Sequence, residues 1–347
     1  MSPGFQVAIV GATGAVGNEF LRLFEERNFP ISGLKLLASE RSVGKTAMYK
    51  GETITIQEAK PESFEGVDFA FFSAGASRSK ALVPAALDAG AYVIDNSSAF
   101  RMDDDVPLVI PEVNPHEIQP TSKLYAVPNC TAIILLVAIN PLRTLGEIER
   151  LIVSTYQSAS GGGAKVMDEL LEETASAVKG ETFTRDKVLP HPYAFNLFSH
   201  NTPINDEGYN EEEWKVIQES RKILGLPELR INVTCVRVPV LRAHSESITV
   251  EFAGSAPSEA QIRDALSIAP GVRLVDDRQG NTFPMPITAS GQGDVLVGRI
   301  RRDLSHPNAI SMFVAGDQLL KGAALNAVQI AEYLMNIGQP VSSPQYV

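Results

Sequence analysis

The chain opens with short apolar runs alternating with amphipathic stretches. Phe5–Val10 is largely apolar and leads through a glycine-rich turn into Asn18–Arg27, whose apolar positions fall at helical spacing. The order then repeats: Leu34–Ala38 reads as a second strand, Phe69–Ser73 as a third, Ser79–Ala89 as a helix and Ala91–Asp95 as a fourth strand. Strands alternating with helices in this way predict an α/β fold with a doubly wound parallel sheet. Leu124–Val127 adds a short strand, and the apolar run Ala132–Ala138 continues it as a buried helix.

Past Cys130 the pattern changes, and a second domain begins with the strand at Arg150. Strands are expected over Arg150–Gln157, Arg230–Val240 and Ile248–Phe252, and helices over Ala164–Lys179, Glu211–Leu224 and Ser258–Ile268. Residues 185–210, rich in proline and asparagine, read as an irregular arm. A last amphipathic helix is expected over about 317–337.

Several of these junctions carry chemistry. Gly11, Gly14 and Gly17 sit between the first strand and the first helix, where a glycine turn lets backbone approach a pyrophosphate and aims a helix N-terminus at it. After the second strand, Arg41 and Ser42 suit the 2′-phosphate of NADP, while Glu40 beside them would suit the ribose of NAD. Arg101 follows the fourth strand at the sheet edge where such folds hold ligands, and it suits a small oxyanion. Pro128 and Asn129 start a helix with Cys130 in its first turn. The positive end of the helix dipole there favours thiolate and lowers a thiol pKa of about 8.5.

A thiolate nucleophile needs a proton partner that titrates near neutrality, for which imidazole is suited. Five histidines are present, and position between two strands favours His244. Gln157 ends a strand just before Ser158-Ala-Ser-Gly-Gly-Gly163, a stretch that either approaches a ligand or turns flexibly. Alternation turns Arg237 away from Val236 and Val238, Cys235 reads as an ordinary strand residue, and the acids Glu211–Glu213 read as a dipole-matched helix start. No histidine pair has ligand spacing and no Cys-x-x-Cys occurs, so no metal is expected.

Composition narrows the class. The 347 residues are 44% hydrophobic, enough for two cores, and two cysteines are too few for a disulfide framework, which points to the cytoplasm. The N-terminus lacks a signal pattern and no apolar run reaches membrane-spanning length. A net charge of −11 disfavours nucleic acid and anionic membranes, so an anionic ligand must be held by locally placed arginine, lysine and amides.

Together, Gly11-Ala-Thr-Gly-Ala-Val-Gly17, Val127-Pro-Asn-Cys-Thr131, Gln157 with Ser160-Gly-Gly-Gly163, and Arg237 with Ala243-His-Ser-Glu-Ser247 resemble the aspartate-β-semialdehyde dehydrogenases, nearly end to end and in order. The resemblance implies NADP-dependent, reversible reductive dephosphorylation of aspartyl-β-phosphate to the semialdehyde, on the route to lysine, methionine and threonine. It implies a Rossmann domain over 1–130, completed by the C-terminal helix at about 317–347, and an α+β domain with a mainly antiparallel or mixed sheet over 131–316, for catalysis and homodimerisation.

By the same resemblance, Cys130 is the nucleophile that becomes an acyl-thioester, His244 the acid/base, and Gln157 orients the intermediate. Arg237 would clamp the α-carboxylate, Glu212 would receive the α-ammonium, and Arg101, Asn129 and Lys215 would hold phosphate. Gly11, Thr13, Gly14, Ala15, Val16, Arg41, Ser42, Ser160, Gly161 and Asn326 would line the NADP site. The chain has Ser199 where the family usually has proline before a histidine. Two rivals stand beside this reading: another acyl-phosphate reductase such as N-acetylglutamyl-phosphate reductase, which needs no partner for a free α-ammonium and so no Glu212, and a non-enzymatic NADP-binding sensor.

Overall fold

The computed structural model describes residues 4–182 and 187–336; residues 185–186 of the expected arm and 337–347 of the expected C-terminal segment lie outside them. The chain divides into two compact units, Met1–Asn129 with Ala323–Val347, and Cys130–Gly322.

In the first unit the strands are β1 (Phe5–Val10), β2 (Ile31–Ala38), β3 (Thr46–Tyr49), β4 (Glu52–Thr55), β5 (Gln57–Glu58), β6 (Phe69–Phe72), β7 (Tyr92–Asp95) and β8 (Leu124–Ala126). Six form one sheet in the order β5-β2-β1-β6-β7-β8, with every neighbouring pair parallel. Parallel sheets are covered on both faces, which is why all four residues of β6, Phe-Ala-Phe-Phe, are buried. On one face the rings of Phe20 and Phe24 from helix α1 (Ala15–Glu26) close on Phe71 at 5.1 and 5.2 Å. Chain order reverses between β1 and β6, so the loops after them part and leave a crevice at the strand ends.

Two details differ from the sequence expectation. Helix α1 starts three residues early, at Ala15, and draws Gly17 into its first turn. The hairpin β3–β4 and strand β5 were not expected from the polar composition of residues 46–58. The hairpin closes through Lys50 and Gly51, whose φ of 49° and 81° are the left-handed values that a two-residue turn matching strand twist requires. Helix α2 (Ala76–Asp88) follows β6, and the C-terminal helix Leu325–Asn336 packs on α1 and β7.

The second unit holds β9 (Ile148–Gln157), β10 (Phe198–Ser199), β11 (Arg230–Arg237), β12 (His244–Phe252), β13 (Val272–Leu274), β14 (Val295–Arg302) and β15 (Ala309–Gly316). They form one mixed sheet in the order β10-β11-β9-β12-β15-β14-β13, with β11–β9 and β13–β14 parallel and the remaining pairs antiparallel. Its helices are α3 (Cys130–Ile139), α4 (Ala164–Lys179), α5 (Glu211–Leu224), α6 (Glu259–Ser267) and α7 (Pro286–Ala289). Strands β13 to β15 were not expected: a bulge between Gly298 and Arg301, with Arg299 at φ 54°, breaks the alternation of β14.

Register gathers three polar side chains. Arg237 on β11 lies opposite Gln157 on β9. Ser245 on β12 lies opposite Tyr156, so His244 and Gln157, each one residue further, project from the same sheet face. Strand β11 ends at Arg237 rather than Val240, and His244 is the first residue of β12 rather than part of a connection. The C-terminal helix begins at Leu325 rather than Asp317, because the Asp317 carboxylate caps the backbone N–H of Leu319 and a π-turn over Leu320–Ala324 follows.

Candidate active site

The first unit supplies a cradle at the end of β1. Gly11 and Ala12 donate to the Leu37 carbonyl at 2.8 and 3.2 Å, tying the turn to β2. Gly11 has φ 95°, and a Cβ there would stand 2.3 Å from the Ser73 carbonyl oxygen; a Cβ on Gly17 would stand 2.5 Å from the Gly11 oxygen. Only glycine permits this packing of turn, helix and neighbouring strand. Gly14 opens α1 with no side chain over the helix end, and Thr13, Ala15 and Val16 are accessible around it. A bare, positively polarised helix terminus beside a close backbone turn fits a dinucleotide pyrophosphate.

The turn after β2 is a short 3-10 helix, Glu40–Ser42, in which Arg41 is exposed and Ser42 buried. A cleft of about 340 Å³ lies there, with Ser39, Glu40 and Arg41 on one wall. Asn326 is fully buried and donates its side-chain amide to the Val109 carbonyl at 2.8 Å. Arg101, also buried, donates to the Asn96 carbonyl at 2.9 Å in the loop after β7. The Asp95 carboxylate organises that loop by accepting from Ser79 and Ser97; burial raises its pKa, against the opposing effect of those bonds and of Arg101. Asn129 is buried at the residue before α3.

In the second unit Cys130 is a half-buried thiol at the first position of α3, whose next nine residues are buried. Gly322 backs it: a Cβ there would meet the Cys130 Cβ at 2.9 Å. The Gln157 amide is fixed by three bonds of 3.1 Å, accepting from the Thr155 hydroxyl and donating to Thr131 Oγ1 and to Glu212 Oε1. Capping of α5 falls to Asn210 and Glu213, which form a reciprocal capping box at 2.9 and 3.0 Å. Glu212 is therefore released from the helix end and turns to Gln157, with the Lys215 ammonium 3.7 Å away.

Arg237 is nearly buried, and its Nε donates to Asn201 Oδ1 at 2.8 Å. Burial lowers its pKa, opposed by Tyr193, Glu212 and Cys130. His200, joined to β11 through the Cys235 carbonyl at 2.9 Å, is pushed down to about 4 by burial. Burial raises the Cys235 thiol.

His244 is completely buried, and its pKa is pushed down to about 3 by desolvation, against Glu212 and reinforced by Arg237 and His200. Its Nδ1 accepts the Ser158 backbone N–H at 3.0 Å, with the Ser158 hydroxyl also at 3.0 Å. An N–H can only donate, so Nδ1 carries the lone pair and the ring proton sits on Nε2, which meets no hydrogen-bond partner among the described residues. Gly161 leaves that nitrogen room, since a Cβ there would stand 3.0 Å from it. Ala243, just before, has φ 71° and is held by the Gln318 side chain at 3.0 Å; Gln318 in turn donates to Ser160 Oγ.

The sequence reading missed Ser158, Asn201 and Thr155. Ser158 stood directly beside Gln157, but nothing local marked it as the partner of a histidine 86 positions away. Among the described residues no group of three or more His, Cys, Asp or Glu could hold a metal, and no helix is long and apolar enough to cross a membrane.

A glycine-cradled parallel sheet joined in one chain to a helix-start thiol and a buried imidazole is the architecture of a dehydrogenase that works through cysteine. Family models agree: that of the semialdehyde dehydrogenase NAD binding domain matches residues 6–121, and that of the semialdehyde dehydrogenase dimerisation domain matches residues 139–321. The chain is 53% identical to the aspartate-semialdehyde dehydrogenase of Synechocystis sp., over 97% of this chain and 99% of the relative. It superposes on the crystal structure of aspartate semialdehyde dehydrogenase II of Vibrio cholerae complexed with ASA at a TM-score of 0.93 and 42% identity, covering 96% of this chain and 99% of the other. The Candida albicans aspartate semialdehyde dehydrogenase with NADP aligns at a TM-score of 0.74 and 25% identity, over 96% and 98%. The chain belongs to the aspartate-semialdehyde dehydrogenase family and is an enzyme of that type.

Proposed function

We propose that the protein catalyses the reversible, NADP-dependent reductive dephosphorylation of L-aspartyl-4-phosphate to L-aspartate 4-semialdehyde, as a cytoplasmic homodimer. The observation that carries this is the convergence at Gln157 of a buried arginine, opposite it in register, and of the Glu212 carboxylate on α5, which accepts from its amide while Asn210 and Glu213 cap the helix. Arg237 suits an α-carboxylate and Glu212 an α-ammonium, which together read an amino acid. The Vibrio cholerae enzyme's complex with ASA and the Candida albicans enzyme's structure with NADP support the reading, as do the matched dimerisation domain and a cysteine count of two.

Bound NADPH supplies a hydride. In the biosynthetic direction the Cys130 thiolate adds to the acyl carbon, the carbon–oxygen bond to phosphate breaks, and phosphate leaves with its electron pair, accompanied by Arg101, Asn129 and Lys215. Gln157 orients the thioester. When the thioester carbon is reduced its oxygen becomes negative, and the Nε2–H of His244 donates to it. The Nε2–H stays on the ring as a hydrogen-bond donor while the oxygen's electron pair re-forms the carbonyl and Cys130 departs as thiolate. Gly11, Thr13–Val16, Arg41, Ser42, Ser160, Gly161 and Asn326 are assigned to the cofactor.

The test is NADPH formation from aspartate semialdehyde with and without phosphate. Sustained, phosphate-dependent turnover that Cys130→Ala abolishes without loss of fold is expected; turnover indifferent to phosphate, or surviving in Cys130→Ala, defeats the proposal.

A further inference from the structure

The cleft beyond β2 has a second arginine. Arg78 stands in the first turn of α2 and lines that cleft together with Arg41. A cation in the first turn of a helix faces the positive end of the dipole, which disfavours it. Arg78 is nonetheless half-buried there, and among the described residues neither it nor Arg41 makes a hydrogen bond or ion pair. No contact in the fold accounts for a half-buried guanidinium held against a dipole with no acceptor.

Of the carboxylates on the same cleft, Glu58 is paired with Lys60 at 2.8 Å. Arg41 and Arg78 thus bring two guanidiniums to one cleft at the N-terminus of α2, in a protein of net charge −11.

We propose that Arg78 is a second specificity-determining residue for the cofactor, placing its guanidinium on the 2′-phosphate of NADP alongside Arg41. The inference rests on the NADP reading above. The dipole that disfavours Arg78 attracts the dianion it serves, so cation and helix act in one direction once the phosphate is seated. Because NAD lacks that phosphate, the contribution of Arg78 falls on NADP alone.

The experiment is equilibrium titration of NADPH and NADH against the unmodified protein, Arg78→Ala, Arg78→Gln and the Arg41→Ala/Arg78→Ala double variant, read by nicotinamide fluorescence and by calorimetry at several salt concentrations. Each single Arg78 variant should weaken NADPH about tenfold, leave NADH within about twofold, and flatten the salt dependence of NADPH binding. The double variant should lose most of the preference. Unchanged NADPH affinity in both single variants overturns the proposal, as does equal weakening of NADPH and NADH, which would put Arg78 on a part common to both cofactors. The unmodified protein separates the two levels: if it binds both cofactors equally the NADP reading fails, and if it prefers NADPH but the Arg78 variants keep that preference, only the role of Arg78 fails.

Discussion

Nδ1 of His244 accepts the backbone N–H of Ser158 at 3.0 Å, and that bond decides which way the imidazole works. With its lone pair engaged and its proton on Nε2, the ring enters the cycle as a donor, not as a base toward the thiol. His244→Asn should therefore leave the pH profile of Cys130 alkylation by iodoacetamide within about half a unit of the unmodified protein, while hydride transfer falls about 10²- to 10⁴-fold. A rise of a full unit or more in the alkylation midpoint would instead make His244 the base that generates the thiolate.

Glu246, one strand repeat beyond His244, is completely buried, and neither carboxylate oxygen meets a hydrogen-bond partner among the described residues. Desolvation raises its pKa well above 4.5, so the folded protein holds it protonated where the unfolded chain ionises. Its contribution to stability is full below about pH 4.5 and is lost as pH rises, by up to about 1.4 kcal/mol per pH unit. His200 and His244, with folded pKa values depressed to about 4 and 3, act oppositely and lose stability as pH falls below about 6.5, but they are common to both proteins. Glu246→Gln should thus raise Tm over the parent by a margin that widens as pH rises above about 4.5. A margin independent of pH would mean that the carboxyl is ionised in the fold.

Asn201 holds the Nε edge of Arg237, which leaves the terminal nitrogens of the fork to face a carboxylate. Asn201→Ala should raise KM for the semialdehyde about 5- to 10-fold, the share of one ordinary hydrogen bond, with kcat within about twofold. Steady-state kinetics decide this: a fall in kcat at constant KM would show that the contact serves the transition state and not substrate docking.

How much was legible in the chain follows from how local each feature is. The β1 turn and the start of α3 are made by consecutive residues, so Gly11 to Gly17 and Asn129-Cys130 could be read directly. Asn210 and Glu213 also carry a legible signal, an N-cap with an acid three residues on, and it would have freed Glu212 from a capping role in advance. The Ser158–His244 and Asn201–Arg237 bonds span 86 and 36 positions, and no periodicity encodes them. Strand β14 was hidden by its own bulge, and the start of β12 by a left-handed Ala243, a conformation that composition does not announce.

The first unit takes its final helix from the far end of the chain. Leu325–Asn336 is fastened by Asn326 to Val109 and by the two-bonded Arg27–Glu332 pair at 2.7 and 2.6 Å. At ribosomal rates of roughly 5 to 20 residues per second, the intervening Cys130–Gly322 takes about 10 to 40 s to emerge. For that interval the nascent nucleotide-binding sheet exists without the helix that covers β7 and α1. The segment that closes the older half of the molecule is thus made only after the whole of the second unit, so the cofactor domain is completed late even though most of it leaves the ribosome early.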